Sequence, residues 1–144
     1  MTKDTLSLTK KFLDVLPHAN QLQLSATDSA EGHVEISMPY ADALIGDVQT
    51  GVIHGGAVSA LMDTACGAAV VAHPDAGLGT ATLDLRIDYM RGATPGQAIR
   101  AVADCHHVTR TVAFVRAVAY DDDEKRPVAM ATGAFTVPQK KLSL

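Results

Sequence analysis

Leu6, Phe12, Leu13 and Leu16 recur among polar neighbours ahead of Pro17, a spacing that predicts an amphipathic surface helix over about residues 4–16. The pattern then changes to period two. Leu22 and Leu24 alternate in QLQLSA and Val34, Ile36 and Met38 in HVEISMPY, so two strands should form a hairpin about the turn-like TDSAEG. Residues 41–53, rich in Gly, Asp and Thr, read as a loop. Over about 56–72 the character changes again: Ala57, Val58, Ala60, Leu61, Met62, Ala65, Cys66 and the run from Ala68 to Ala72 leave almost no polar face. A helix apolar all round belongs inside a protein. At 1.5 Å per residue it would run roughly 25 Å, short for a bilayer, and it carries Asp63.

Strand signals fill about residues 80–137. Leu83, Leu85, Ile87 and Tyr89 alternate in the first stretch; 97–108, 111–120 and 127–137 follow, separated by GATPG, the HVTRT corner and the charged DDDEKRP. Short connections make antiparallel neighbours. The 144 residues therefore read as one α+β domain, an antiparallel sheet wrapped on one long central helix.

Composition narrows the function. At 47% hydrophobic the chain can bury an ordinary core, and Lys3, Asp4, Lys10, Lys11 and Asp14 interrupt any leader or membrane span near the start, so a cytoplasmic protein is expected. Cys66 and Cys105 lie apart with no CxxC pairing, which signals neither a disulfide framework nor a metal site; adjacent His106 and His107 should point to opposite faces of a strand. Net charge is −4, and between Lys11 and Arg86 nine Asp and Glu occur without one Lys or Arg, which argues against nucleic acid. A phosphate-bearing ligand would have to be held by the termini or by Arg86, Arg91, Arg100, Arg110, Arg116, Lys125 and Arg126. The run from Asp121 to Arg126 itself reads as a solvated hairpin tip.

Asp63 is the one ionisable group in the apolar helix, and it lies two turns inside, too far for a cap. Burying a carboxylate is costly unless something compensates it. Helical spacing puts Gly56, Ser59, Asp63, Cys66, Gly67 and Val70 near one another on a face of mostly small residues, so a bond to Ser59 or to a neighbouring strand would account for Asp63 structurally. His54, Gly55 and Gly56 stand where the loop becomes the helix, and the unpaired N–H groups of such an end attract anions. The combination points to chemistry more strongly than either feature alone.

HGGAVSALMDTACGAAV resembles the helix of the phenylacetic acid degradation type of hot dog thioesterase, in which HGG is followed by six residues and then Asp. The resemblance continues through TLDLRIDYMRGA and RTVAFVRAVAYDDDEKRPVAMATGAF, covering roughly residues 30–137. It implies a hot dog fold and an acyl-CoA thioesterase that needs neither metal nor cofactor. Asp63 would be general base or nucleophile, the Gly56 N–H would bind the thioester oxygen with Gly55 beside it, Thr82 would support Asp63 or its water, and His54 would shape the loop and contact the substrate carbonyl. It also implies a homodimer, paired again as a homotetramer, in which the HGG loop of one subunit faces the Asp of its mate.

The chain departs from that pattern at Val48, where the family commonly has Asn; Gln49 or Thr50 would have to substitute. Strict alternation also places Thr82 with Asp84, Arg86 and Asp88, opposite Leu83 and Leu85. Leu61, Met62, Leu83, Leu85 and Tyr89 are the expected walls for an aromatic or medium-length acyl group, with Arg91 and Arg110 on the coenzyme A phosphates. The rival reading is a non-catalytic acyl-CoA sensor of the same fold.

Overall fold

A computed structural model describes residues 4–139. Helix α1 (Thr5–Asp14) begins where the Asp4 carboxylate accepts the Ser7 N–H at 3.0 Å, and turns Thr5, Thr9 and Leu13 inward. The two threonines are buried without penalty because Thr5 donates to the Ser29 carbonyl and Thr9 to the Thr5 carbonyl. Pro17 does not simply end this segment. It is the first residue of a second short helix, α2 (Pro17–Gln21), a position where its missing N–H costs nothing. With the chain helical through Gln21, strand β1 (Ser25–Ala30) takes only the last two residues of QLQLSA and runs on through the TDSA expected to be turn. The turn is Glu31–Gly32, where Gly32 at φ +68° leads into β2 (His33–Met38).

The expected loop carries structure of its own: a 3₁₀ turn at Asp42–Leu44 and a small hairpin of β3 (Ile45–Asp47) and β4 (Val52–Ile53). Tyr40 pins this hairpin by donating to the Gly51 carbonyl at 2.7 Å. The central helix, α3 (Gly55–Ala72), is followed by β5 (Thr82–Tyr89), β6 (Ile99–Val108), β7 (Val112–Tyr120) and β8 (Ala129–Thr136). All neighbours are antiparallel, in the order β1-β2-β6-β7-β8-β5, with β5 at one edge.

The inner sheet face is built largely of small residues, including Ala101, Ala103, Ala113, Ala117, Ala129 and Ala131, so the larger side chains of α3 can seat against it. Leu61 and Met62 are fully enclosed there, each worth about 2 kcal/mol of burial, and so belong to the core rather than to a substrate pocket. By length and hydropathy α3 could cross a membrane, but most of it is buried within this domain.

Two strand irregularities redirect side chains. A register shift between Thr82 and Asp84 makes Leu83 a bulge, 58% exposed, and brings Thr82 to the helix side with Leu85, Ile87 and Tyr89. This resolves the conflict that strict alternation posed. A second shift, at His106, leaves both His106 and His107 exposed, with His107 stacked on Phe114, instead of on opposite faces.

Asp121 is not part of a solvated tip. Its side chain is 0% exposed and accepts from both terminal nitrogens of Arg91 at 2.7 Å, from the Thr94 N–H and hydroxyl at 2.9 Å, and from the Asp123 N–H at 3.0 Å. Arg91 spends its remaining donors on the carbonyls of Arg126 and Gly92. All five of its N–H groups are thus committed, which removes Arg91 from the phosphate-binding candidates.

Candidate active site

The mouth of the site is the start of α3. His54 is the N-cap, and its Nδ1 accepts the Gly56 N–H at 2.8 Å, which requires the neutral tautomer with its proton on Nε2. A Cβ at Gly56 would lie 2.8 Å from that nitrogen, so only glycine leaves the cap intact. The bond also corrects the expectation that Gly56 binds the thioester oxygen: its N–H is already in use. The Gly55 N–H has no partner among the described residues and is the first free donor at the positive end of the helix. The Gly55 carbonyl accepts from the Tyr89 hydroxyl at 3.1 Å, so Tyr89 meets this turn from the end of β5.

Asp63 is partly exposed, two turns further along. Thr82 donates to its Oδ1 at 2.7 Å, while Ser59 turns away and bonds the Gly56 carbonyl at 2.9 Å. The structure therefore unites Asp63 with Thr82, and His54 with Gly55, Gly56 and Tyr89, but keeps the two groups apart. Eight residues of helix separate Gly55 from Asp63 by about 12 Å, whereas a reacting carbonyl must lie about 3 Å from both its donor and its attacking group. Cys66, one turn beyond Asp63, is no nucleophile: burial first, then the Asp63 charge, push its thiol up to about 12.

Two cavities flank the start of α3. One, of about 310 Å³, lies between α2, the 3₁₀ turn and the first turns of α3, with Leu22, Leu44, Ile45, Ala57 and Ala60 as apolar walls and His18 and His54 as polar ones. The other, of about 370 Å³, is bounded by Ile53, Gly55, Val58, Tyr89 and Met90. Nothing in the sequence linked His18, Leu22, Leu44 and Ile45 to His54, because they come from three elements whose meeting is tertiary. Gln49 sits exposed at the β3–β4 turn beside Val48, with its backbone N–H on Asp47, and its side chain bonds none of the site groups. Arg110 is exposed at the β6–β7 corner; its guanidinium, like the side chains of Arg116 and Lys125, is unpaired among the described residues. Arg100 and Arg126 are engaged with Glu35 and Glu124, and with Asp123. No group of three or more His, Cys, Asp or Glu side chains converges among the described residues.

The family model described as the thioesterase superfamily matches residues 50–128, which include α3 and β5. A candidate esterase of Halobacterium salinarum is 32% identical over 143 residues, covering 93% of both chains. A crystal structure of a Pseudomonas aeruginosa protein is 40% identical and aligns with a TM-score of 0.84 over 93% of this chain and 99% of its own. A mutant form of the phenylacetic acid degradation protein PaaI of Thermus thermophilus is 25% identical, with a TM-score of 0.74 over 85% of this chain and 100% of its own.

Proposed function

The chain belongs to the thioesterase superfamily and is a thioester hydrolase of the hot dog fold; on that premise we propose that it hydrolyses an aromatic or medium-length acyl-CoA at a site shared by two subunits. The observation that carries this reading is the layout of β5. Its outer edge is unpaired among the described residues, its first residue holds Asp63, and its last holds the Gly55 carbonyl. An exposed strand edge of this length is a template for another strand.

If two copies of β5 pair antiparallel about a two-fold axis near Arg86, Thr82 of one copy comes opposite Tyr89 of the other. The bulge at Leu83 matters here, since it puts Thr82 and Tyr89 on the same face. The Asp63 carboxylate of one subunit is then delivered toward the free Gly55 N–H of its mate, closing the gap of about 12 Å that one helix cannot close.

In such a site the thioester oxygen takes the Gly55 N–H, assisted by the Nε2–H of His54. The opposing Asp63, oriented by Thr82, takes a proton from a water whose oxygen displaces the coenzyme A thiolate, or attacks the carbonyl itself, releasing the thiolate and leaving an anhydride that water then hydrolyses to the free acid. The donor and the base contribute comparably, roughly 10²-fold or more each. The cavity of about 310 Å³ beside His54 and Gly56 is walled by apolar side chains and suits the acyl group. With Arg91 committed to Asp121, Arg110 and Arg116 are the arginines whose side chains are unpaired among the described residues, and Arg110, at the β6–β7 corner, is assigned to the coenzyme A phosphates. Asp63→Asn keeps side-chain size, so it should preserve the dimer and its melting temperature while cutting turnover by about 10² to 10⁴ when free thiol release from phenylacetyl-CoA or octanoyl-CoA is followed. Near-normal turnover in that variant would refute the assignment.

A further inference from the structure

Gly55 and Gly56 share one peptide unit, and both of its polar ends are fixed by side chains. At one end the N–H of Gly56 is held by His54 Nδ1 at 2.8 Å; at the other the carbonyl of Gly55 is held by the Tyr89 hydroxyl at 3.1 Å. The aromatic ring of Tyr89 lies against the same residue, 3.4 Å from where a Gly55 Cβ would stand. On the other side of Gly55, the preceding carbonyl, that of His54, accepts the Ala57 N–H at 3.0 Å. The Gly55 N–H is thus the one polar backbone group of this turn left open; it belongs to the His54–Gly55 peptide, whose carbonyl the Ala57 N–H holds, and the clamped Gly55–Gly56 peptide adjoins it through the Gly55 Cα.

We infer that Tyr89 is a positioning residue for the oxyanion donor: its hydroxyl locks the Gly55–Gly56 peptide so that the Gly55 N–H is aimed before substrate arrives. This rests on the reading of Gly55 as the oxyanion donor, and it moves Tyr89 from pocket wall to backbone clamp. Gly55 and Gly56 open α3, and glycine is the residue whose backbone has the most conformations to lose, so this helix end, held by intrahelical bonds on one side only, gains from a restraint outside the helix. His54 alone cannot supply it. Its ring and the amide it accepts from are only two residues apart and can swing together, whereas Tyr89 comes from β5, which is anchored to the sheet through β8 and ends beside the Arg91–Asp121 pair. Preorganised donors stabilise a transition state because they need not reorient as charge develops.

The test is Tyr89→Phe, which keeps the ring on Gly55 and deletes only the hydroxyl. With the dimer verified by light scattering on the same sample, kcat for an acyl-CoA should fall about 10-fold to 100-fold, as expected when a donor is misaimed but still present, while KM changes less than twofold. Binding of a non-hydrolysable acyl-CoA thioether should be unchanged, because the clamp acts on the transition state. Hydrogen exchange of the Gly56 amide, a readout independent of turnover, should become faster. Unchanged kcat, or a rise in KM at constant kcat, would overturn the inference; the second would make Tyr89 a substrate contact. Should the variant fail to dimerise, the exchange measurement decides, and an unaltered Gly56 amide would overturn it. Loss of turnover in Asp63→Asn together with full turnover in Tyr89→Phe would leave the proposed function standing and remove only the clamp.

Discussion

Replacing Asp121 by Asn should be among the most damaging single changes outside the site. The carboxylate is 0% exposed, its partner Arg91 is 19% exposed, and five donors converge on its two oxygens. Asn has nearly the same volume, so no cavity opens. It keeps one acceptor oxygen, turns an NH₂ toward Arg91 or Thr94, and leaves the guanidinium without a counter-charge. Breaking a buried pair from one side costs about 3–5 kcal/mol. For a chain of this size each kcal/mol moves the melting temperature by about 3–4 °C, so a fall of about 10–20 °C is expected by calorimetry at neutral pH. The pH dependence provides a second measure. The Arg91 guanidinium, ahead of the bonds from Thr94 and Asp123, holds the Asp121 carboxyl far below the usual carboxylate range. A depressed folded-state pKa contributes stability that is fully present above the unfolded value of about 3.9 and is lost as pH falls through the folded value. The gap between wild type and Asp121→Asn should therefore be constant above about pH 5 and narrow in stronger acid. A melting temperature within 3 °C of wild type at pH 7 would refute the account of Asp121 as the hub of this corner.

Arg91→Ala should lower the melting temperature, whereas Arg110→Ala should leave it unchanged and raise KM for coenzyme A esters without lowering kcat, as uniform phosphate binding requires; kinetics and calorimetry on both variants separate the roles. Cys66, with its thiol pushed up to about 12, is only about 10⁻⁴ ionised at pH 8, so a thiol reagent should modify it only after denaturation, and rapid labelling of the native protein would contradict its burial.

The sequence alone determined which residues form the frame. Apolar positions on every side of residues 56–72 cannot be solvated, so a central helix followed from composition, and the alternation of Leu83, Leu85, Ile87 and Tyr89 with the turn-bounded stretches after it pointed to four strands. His54, Gly55, Gly56 and Asp63 were legible because glycines at a helix start and an acid in an apolar helix are each costly without a reason. What the sequence could not contain was the outcome of competition between distant segments. The bulge at Leu83 exists because β5 must register with β8, and it alone turns Thr82 onto Asp63. Pro17 begins a helix that displaces the first strand, and no local signal distinguished that from a stop. Asp121 and Arg91 look like surface charges in sequence, and became a buried pair because the turns after β5 and β7 meet. Whether the Gly56 or the Gly55 N–H is free depended on the direction in which one imidazole points. Periodicity records which side of an element avoids water; which atoms touch across elements is fixed only when the whole chain has packed.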